Sequence, residues 1–555
     1  MSALPPPEPT LRACVVVPAR DEEERIAACI AALAAQEGVP RGEYEVILVL
    51  DDCRDDTAGR ALAAAARHAG LRLRIIATEA PGAGATRRRG MDDAAGRLEA
   101  VGRPAGLIAS TDADSAPHAD WLRRQLDLVA GGAQAVGGLI EVAPEGLDDE
   151  VMRRRSERLR ARAGSAARPG ADHPFFSGAS LGITAAAYRR AGGLRPLAAL
   201  EDQALEGALT DHGIPIVRSR DVRVVTSGRM DGRARHGLAA DLRADSWAVR
   251  RSFRADVYDP FDLARRKDVT VSVVLPAREV AGTVGAIIDA IVPLERIGLV
   301  DELLVIDAGS SDGTAAVARA HGARVVQESE VLPAMGPCRG KGDAMWRALA
   351  VTSGDVVAYL DADTLDFDPR FVTGLLGPLI DHPAIALVKG AFCRPLRTGG
   401  ATLPDEGGRV TELVARPLLA ILAPELGGVL QPLAGEQAAR RDLLEGIPFP
   451  VGYGIETSML LDTLRARGLD AIGQVDLGTR QNRHQPLREL SAMALAVMAA
   501  GLSRGLAPEI WEAFAAGRMM VPQPGGGTAT RDVPLDERPP LAELGTRGVQ
   551  TVCSA

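Results

Sequence analysis

The chain has 555 residues, of which 46% are hydrophobic, 25% are charged and 3% are aromatic, and its net charge is −9. This composition is typical of a folded protein with room for two or more domains, and it excludes a disordered or fibrous chain. The acidic balance gives no reason to expect nucleic acid or an anionic membrane surface as a partner.

The cysteines and the apolar runs indicate the cellular compartment in which the protein is expected. The six cysteines form no Cys-x-x-Cys pair, which argues against a zinc site or a disulfide framework and favours reduced thiols. The first ten residues are rich in proline and lack the basic and apolar segments of a signal peptide. The longest apolar run, residues 492–502, is too short to span a bilayer. We therefore expect a cytoplasmic protein without a membrane span.

The predicted elements begin with a buried strand, CVVVPAR at residues 14–20, and a second strand, YEVILVLDD at 44–52. A basic glycine loop, PGAGATRRRG at 81–90, precedes a strand that ends in LIASTDAD at 107–114. Short apolar runs that alternate with helical stretches indicate βα units and a mostly parallel sheet. In such sheets the functional loops lie at the carboxyl ends of the strands.

The same order of segments returns in the second half of the chain. It reads VSVVLPAR at 271–278, ELLVIDA at 302–308, GPCRGKGDAMWRA at 336–348 and VVAYLDAD at 356–363, and matching landmarks lie about 250 residues apart. Such a repeat predicts two diverged copies of one fold. A charged stretch at 244–268 separates the copies, and a segment rich in Gly and Pro at 521–555 predicts a flexible C-terminal tail.

Both copies carry an Asp-Ala-Asp triplet at a strand end, Asp112–Asp114 and Asp361–Asp363. Carboxylate oxygens suit Mg²⁺ or Mn²⁺, and such a metal can neutralise charge on a departing nucleoside diphosphate. The triplet alone also fits an ordinary surface loop. With Thr364 it matches the D-x-D-x-T loop of haloacid-dehalogenase phosphatases as well, but that loop should follow the first strand of its domain, and here two βα units precede it.

Two further features accompany each triplet. Asp51 and Asp307 end the preceding strands, where a short carboxylate can bind a base or a ribose, or can serve as a helix N-cap. The glycine loops place Arg87 and Lys341 where the backbone can approach a phosphate closely. The loop of the first half lacks the full G-x-G-x-x-G of a dinucleotide-binding domain and comes too late in the βα order.

The second half, about residues 269–498, resembles the actinobacterial-type glucosyl-3-phosphoglycerate synthases, which are retaining GT-A enzymes that transfer glucose from a nucleotide sugar to 3-phosphoglycerate. The resemblance rests on VSVVLPA, DAGSSDGT, GKGDAMWRA, LDAD, GGRVTELVARPLL, ELGGVLQPLAGE, PFPVGYGIE and NRHQPL. The first half resembles the broad family 2 glycosyltransferases through VVVPARDEEERI, VLDDCRDDT, GAGATRRRG, STDAD, FFSGASLGITAAAYRRAGG and LEDQALEGAL. The implied fold is α/β, with two tandem GT-A (nucleotide-diphospho-sugar transferase, Rossmann-like) domains at 11–243 and 269–510.

The resemblance assigns roles to individual residues of the second half. Its implied donor-binding residues, with UDP-glucose as the expected donor, are Pro276, Ala277, Asp307, Lys341 and Asp361. The GGRVTE loop would bind 3-phosphoglycerate through Gly408, Arg409 and Thr411, and an Arg fork beside backbone N–H groups is a good phosphate site. Glu456 would lie by the sugar and the acceptor hydroxyls. No nucleophile stands out, so a front-face transfer assisted by the leaving diphosphate is expected.

The metal ligands implied for the second half are Asp363 and a residue near 484. The family's histidine ligand falls in an H-R-N-R-P-L run, and strict register puts Asn482 in its place. His484 reaches the same position after a small loop shift, so both residues remain candidates. This departure keeps open a mannosyl-3-phosphoglycerate synthase-like reaction or a different phosphorylated acceptor.

For the first half the resemblance implies donor binding by Pro18, Ala19, Asp51, Arg87 and Asp112. Asp114 would bind the metal, and Asp202 would be the base of an inverting transfer, because such a transfer needs one base opposite the leaving group. Glu201 and Asp202 also fit a helix start stabilised by the helix dipole. The half is thus either a second transferase of unknown acceptor or a non-catalytic scaffold. By analogy with family members, a homodimer is expected.

Overall fold

The computed structural model describes residues 4–78, 82–144, 146–165, 173, 175–197, 200–232, 237–398, 401–403, 407–480, 490–514, 517–522 and 528–545. The chain divides into two compact units, unit 1 (Met1–Ser246) and unit 2 (Trp247–Ala555). Within the described residues, no helix has both the length and the apolarity needed to cross a membrane.

Unit 1 is built from alternating strands and helices. Its strands are β1 (Ala13–Ala19), β2 (Tyr44–Asp51), β3 (Leu73–Thr78), β4 (Leu107–Ser110), β5 (Ser115–Pro117), β6 (Ala135–Val142), β7 (Leu181–Thr184) and β8 (Ile216–Thr226). Its helices are α1 (Ile26–Ala34), α2 (Thr57–Ala66), α3 (Ala83–Ala100), α4 (Trp121–Ala130), α5 (Asp149–Ser165), α6 (Ala185–Arg190), α7 (Glu201–Asp211) and α8 (Leu238–Arg251), and the division between the units falls inside α8.

The strands of unit 1 form one sheet in the order β3-β2-β1-β4-β7-β6-β8-β5. β1 is parallel to β2 and β4, β7 is antiparallel to β4 and β6, and β8 is parallel to β6. Successive side chains of a strand point to opposite faces, so Val15 packs with Ile26 in one core and Val16 with Met91 in the other. This two-sided burial explains why the strands are apolar without alternation.

Unit 2 contains the remaining elements. Its strands are β9 (Ser252–Arg254), β10 (Val271–Ala277), β11 (Glu302–Asp307), β12 (Arg324–Gln327), β13 (Val356–Tyr359), β14 (Leu387–Cys393), β15 (Leu396–Thr398), β16 (Ala401–Leu403), β17 (Gln437–Arg440), β18 (Phe449–Pro450), β19 (Ile472–Thr479), β20 (Arg518–Pro522), β21 (Thr528–Asp532) and β22 (Glu537–Arg538). Its helices are α9 (Pro260–Arg266), α10 (Val284–Arg296), α11 (Thr314–Ala320), α12 (Lys341–Val351), α13 (Arg370–Asp381), α14 (Arg416–Leu422), α15 (Arg441–Glu445), α16 (Ile455–Arg467), α17 (Leu490–Gly505) and α18 (Pro508–Phe514).

The main sheet of unit 2 matches the sheet of unit 1 in seven of its eight strands. Its order is β12-β11-β10-β13-β17-β14-β19-β9. As in unit 1, the central strand β10 is parallel to both neighbours, the next pairings are antiparallel, and β14 is parallel to β19. The repeat in the sequence therefore corresponds to two sheets that match in order and direction over seven strands. The eighth strand differs, because β5 is antiparallel to β8 whereas β9 is parallel to β19.

Two segments can be compared with the expectations of the sequence. The division between the units falls inside the stretch at 244–268, which was expected to separate the copies, and the same stretch contains β9, which pairs with β19 and extends the sheet of unit 2. Part of the segment expected to be a flexible tail is packed: β22 pairs with β18, and Leu541 is buried in the core. The physical reason is Arg538, whose guanidinium lies 2.9 Å and 2.5 Å from the two oxygens of the buried Asp343.

Candidate active sites

The predicted site residues of unit 2 gather at one edge of its sheet. β10 ends at Ala277, β11 ends at Asp307, and Asp361 follows β13. The carboxyl ends of parallel strands meet at this edge, and a cavity of about 360 Å³ opens there. Among the residues that line it are Pro276, Lys341, Asp361, Asp363, Gly408, Arg409, Thr411 and Glu456.

Lys341 is the first residue of α12 and bridges two acids. Its Nζ lies 2.6 Å from Asp361 Oδ1 and 2.9 Å from Glu456 Oε1. Burial alone would lower the pKa of Lys341, but the two carboxylates outweigh burial and hold it above its usual value. The flanking Gly342 is required by space, because a Cβ there would overlap the Pro450 carbonyl oxygen. Lys341 is therefore a fixed positive charge in the cavity.

Arg480, which the sequence analysis missed, supports Asp361 from the other side. It is almost fully buried just after β19, and its Nη2 lies 3.0 Å from Asp361 Oδ2. Its other Nη forms an ion pair with the buried Glu436. Burial would raise the pKa of Asp361, but Lys341 and Arg480 hold that pKa well below its usual range. Asp361 is therefore an ionised group that is held in place by two cations.

Asp363 is the more open carboxylate of the triplet. Its side chain is 53% exposed and lies 4.0 Å from Arg480. Burial, followed by the charge of Asp361, raises the pKa of Asp363. A bound divalent cation would relieve this repulsion, and the oxygen donors fit Mg²⁺ or Mn²⁺. The other predicted ligand, His484, and its alternative, Asn482, lie outside the described residues.

The acceptor loop forms the far wall of the cavity. Gly408 has a φ of 74°, which favours glycine, and its carbonyl accepts a hydrogen bond from the Glu412 N–H at 3.0 Å. Thr411 begins a π-helical turn (Thr411–Ala415). Arg394 and Tyr453 also line the cavity, and the sequence analysis missed both. Each follows a strand in an irregular segment, where no local pattern marks a site residue.

Two predicted donor residues lie at the sheet edge but are not among those that line the cavity. Ala277 ends β10, and Asp307 ends β11 with 1% exposure. Asp307 accepts hydrogen bonds from the Ser310 hydroxyl at 2.6 Å and from Gln327 Nε2 at 2.8 Å. The surrounding loop thus orients this carboxylate.

Unit 1 repeats the three-residue arrangement around Lys341 with an arginine. The Nη2 of Arg87 lies 2.7 Å from Asp112 Oδ1, and its Nε lies 3.2 Å from Glu201 Oε1. Asp112 and Glu201 therefore occupy the places that Asp361 and Glu456 occupy in unit 2. The residue in unit 1 that corresponds to Glu456 is thus Glu201, which the sequence suggested only as a helix-start residue, whereas the catalytic role was predicted for its neighbour, Asp202.

Asp202 has no acidic counterpart in unit 2. Its carboxylate accepts hydrogen bonds from the Gly178 N–H at 3.3 Å and the Gln203 N–H at 2.8 Å. Among the described residues, no cation forms an ion pair with it. The matching position of unit 2, one residue after Glu456, is the fully buried Thr457. At this position unit 1 therefore has a carboxylate without an ion-pair partner among the described residues, whereas unit 2 has a threonine.

Asp114, the metal ligand expected in unit 1, contacts a guanidinium. The Nη2 of Arg229 lies 3.1 Å from Asp114 Oδ2, and Arg229 also pairs with Glu22 at 2.6 Å. Burial, followed by the charge of Asp112, raises the pKa of Asp114 to about 6. A metal at this carboxylate would have to share it with Arg229. The oxygens of Asp114 are therefore less available to a metal than those of Asp363.

The remaining donor residues expected in unit 1 lie at its sheet edge. Pro18 and Ala19 end β1, and Asp51 ends β2. The carboxylate of Asp51 is 3.1 Å from the N–H of Gly82, just before α3, and 3.8 Å from Arg20. At this edge of unit 1, a hydrogen bond therefore connects Asp51, at the end of β2, to the residue before α3, the helix that carries Arg87.

Comparison with known proteins shows which family the chain matches and which proteins it is similar to. The family described as Glycosyl transferase family 2 matches residues 14–190 and 272–409. The glucosyl-3-phosphoglycerate synthase of Mycolicibacterium smegmatis is 46% identical over 306 residues, which cover 54% of this chain and 99% of the relative. Homology to such synthases thus extends over about half of the chain.

Solved structures of related enzymes give the same coverage. The glucosyl-3-phosphoglycerate synthase of Mycobacterium tuberculosis in complex with Mn²⁺ and uridine-diphosphate-glucose is 46% identical, with a TM-score of 0.47 over 52% of this chain and 95% of that one. The mannosyl-3-phosphoglycerate synthase of Rubrobacter xylanophilus is also 46% identical, with a TM-score of 0.49 over 54% of this chain and 98% of that one.

Proposed function

The chain belongs to glycosyl transferase family 2 and is a metal-dependent hexosyltransferase with a mixed α/β, GT-A-like fold, and we propose that unit 2 transfers glucose from UDP-glucose to 3-phosphoglycerate with retention. One observation carries the proposal: a single cavity joins Lys341, Asp361 and Glu456 to Arg409 and Thr411. A donor diphosphate and a phosphorylated acceptor can meet there. The name of the 46% identical relative supports the choice of sugar and acceptor.

The donor side of the cavity fits a nucleoside diphosphate. Lys341 is held charged between two acids and can contact the diphosphate without moving far. Asp361, fixed by Lys341 and Arg480, can orient the donor through its carboxylate oxygens. Asp363 would hold Mg²⁺ or Mn²⁺, and the bound ion would neutralise charge on the leaving diphosphate. Asp307 and the strand end at Pro276–Ala277 would contact the base and the ribose of the donor along the sheet edge.

The acceptor side fits a phosphate. Arg409 offers a planar fork of donors, and Gly408 lets the backbone approach an anion closely. Glu456, held by Lys341 at 2.9 Å, lies between the donor and acceptor walls. The position after it is the buried Thr457, so unit 2 has no carboxylate at the position where unit 1 has Asp202. These features favour a front-face transfer in which the leaving diphosphate accepts the acceptor proton.

For unit 1 we propose a second, inverting glycosyltransferase. Asp202 is the supporting residue, because it is a partly exposed carboxylate without an ion-pair partner among the described residues. Such a group can deprotonate an acceptor hydroxyl opposite the leaving group. Arg87, in the place of Lys341, would meet the donor diphosphate. The alternative is a non-catalytic scaffold, which the experiment below separates from an enzyme.

The test is an assay of the full chain and two variants with UDP-glucose and GDP-mannose as donors. We expect wild-type chain and Asp202→Asn to glucosylate 3-phosphoglycerate, Asp363→Asn to lose this activity, and the product to have the α configuration by NMR. Full turnover by Asp363→Asn with saturating Mn²⁺ would contradict the metal assignment, and a preference for GDP-mannose would favour the mannosyl alternative.

The same variants test unit 1. In the Asp363→Asn background, any remaining hydrolysis of a nucleotide sugar belongs to unit 1 and should disappear when Asp202→Asn is added. If the Asp363→Asn chain hydrolyses none of a panel of nucleotide sugars and binds none of them in calorimetry beyond the donor of unit 2, unit 1 is a scaffold.

A further inference from the structure

Arg394 is a cation of the cavity to which neither the family resemblance nor the proposed function gives a role. It follows β14 by one residue and lines the cavity together with Gly408 and Arg409. Its guanidinium carbon lies 4.9 Å from the centroid of the Phe392 ring. An arginine that lies over an aromatic face keeps its planar group in one orientation and leaves its N–H groups available at the edge.

Among the residues that the structure describes, none forms a hydrogen bond or an ion pair with the guanidinium of Arg394. Its Nε is buried without a hydrogen-bond acceptor, and among the described residues no carboxylate forms an ion pair with it. Burial and the nearby charge of Arg480 lower its pKa. Arg480 differs, because it pairs with both Asp361 and Glu436. A partly buried arginine without a counter-ion is costly, and an anionic ligand would remove that cost.

The position of Arg394 is tied to the acceptor loop. The Gly407 N–H donates to the Arg394 carbonyl at 2.9 Å. A Cβ on Gly407 would overlap that carbonyl oxygen, and a Cβ on Gly408 would lie 3.7 Å from Arg394 Cδ. The loop that carries Arg409 and Thr411 therefore has a fixed register against Arg394. Two arginines thus face one ligand site from adjacent segments.

We infer that Arg394 binds the carboxylate of the acceptor, while the loop at Gly408–Thr411 binds its phosphate. This inference rests on the proposed function, because 3-phosphoglycerate carries one anionic group at each end. Two other cations that line the cavity are already paired with carboxylates: Lys341 with Asp361 and Glu456, and Arg480 with Asp361 and Glu436. Arg394 would thus make unit 2 select an acceptor with a carboxylate.

The test compares two ligands that share the phosphate, 3-phosphoglycerate and glycerol 3-phosphate, on the full chain with Mn²⁺ and UDP. A hydrogen bond to a charged group contributes about 1.5–3 kcal/mol, so Arg394→Gln should weaken 3-phosphoglycerate binding in calorimetry about 10- to 100-fold. Glycerol 3-phosphate affinity and the KM for UDP-glucose should stay within about twofold. Arg394→Lys should recover part of the loss. The matched control is Arg370→Gln, whose exposed arginine pairs with Asp368 outside the cavity and should change neither affinity.

Two outcomes would overturn the inference. If wild-type chain glucosylates 3-phosphoglycerate but Arg394→Gln binds both ligands as wild type does, Arg394 does not bind the carboxylate. If Arg394→Gln weakens the binding of both ligands and of the donor equally, Arg394 supports the site as a whole and does not recognise the carboxylate. A wild-type chain that neither binds nor glucosylates 3-phosphoglycerate refutes the proposed function itself, which the first two outcomes leave intact.

Discussion

A single methyl group placed behind Asp361 should disable unit 2. Gly435 lies in the segment before β17, and the Cβ of an alanine there would be 2.5 Å from Asp361 Cγ and closer still to both of its oxygens. The backbone of Gly435 is not in the left-handed region, so Gly435→Ala costs nothing in conformation. The entire effect therefore falls on the carboxylate of Asp361.

The size of the effect follows from the distances. Ordinary carbon contacts lie at about 3.5–4.0 Å, so Asp361 must move by about 1 Å. Its 2.6 Å contact with Lys341 and its 3.0 Å contact with Arg480 would then lengthen or bend. A misplacement of 1 Å at a reacting centre can cost about 100-fold in rate. Overpacking costs about 1–3 kcal/mol of stability, so most of the protein stays folded while activity is lost.

The assay is the initial rate of glucosyl transfer from UDP-glucose to 3-phosphoglycerate, with thermal unfolding measured in parallel. Gly427→Ala is the matched control, because a Cβ on Gly427 has no neighbour within 4 Å, and it should retain wild-type activity. A Gly435→Ala protein that turns over within about twofold of wild type would refute the reasoning. In that case the fixed position of Asp361 would not matter for transfer.

Two further predictions concern buried charges. Arg538→Gln should lower the free energy of unfolding by about 3 kcal/mol, because the buried Asp343 loses one of its cations. The control Arg518→Gln removes an exposed arginine and should lower it by less than about 0.5 kcal/mol. Equal midpoints of urea unfolding for the two variants would contradict this prediction. Burial lowers the pKa of Lys389 to about 7, while an unfolded lysine titrates near about 10.4. Between these pH values Lys389 is protonated in the unfolded chain but not in the folded one, so the free energy of unfolding rises with pH by about 1.4 kcal/mol per pH unit. Lys389→Met should abolish this contribution to the pH dependence. Parallel wild-type and variant profiles of urea unfolding between pH 7 and pH 9 would refute the second prediction.

The parts of the site that the sequence predicted are those with a local pattern. A β-branched run followed by Pro-Ala or by Asp marks a strand and the residue at its end, and Ala277 and Asp307 are found at those ends. The triplet at Asp361–Asp363 and the glycine before Lys341 are local signals of the same kind. Fold class and the sheet edge follow from such patterns because parallel strands put their carboxyl ends together.

The missed residues act through contacts between distant segments. Arg480 meets Asp361 across 119 positions, and Arg87 meets Glu201 across 114. No periodicity in the sequence marks an arginine as the partner of an acid so far away. The repeat did hold a usable signal, because Arg87, Asp112 and Glu201 align in order with Lys341, Asp361 and Glu456. The same order of residues in the two halves marks Glu201 together with Asp202.

The contact between Asp343 and Arg538 joins positions that are 195 residues apart. At about 5–20 residues per second, a ribosome needs about 10–40 s to synthesise the stretch between them. Throughout that interval the carbonyls of Met335 and Pro337, which later accept hydrogen bonds from Arg538, lack that donor. The loop that leads into Lys341 therefore reaches its final form late in synthesis. A chain that stalls before residue 538 would carry every predicted catalytic residue of unit 2 without the arginine that fixes the segment leading into Lys341.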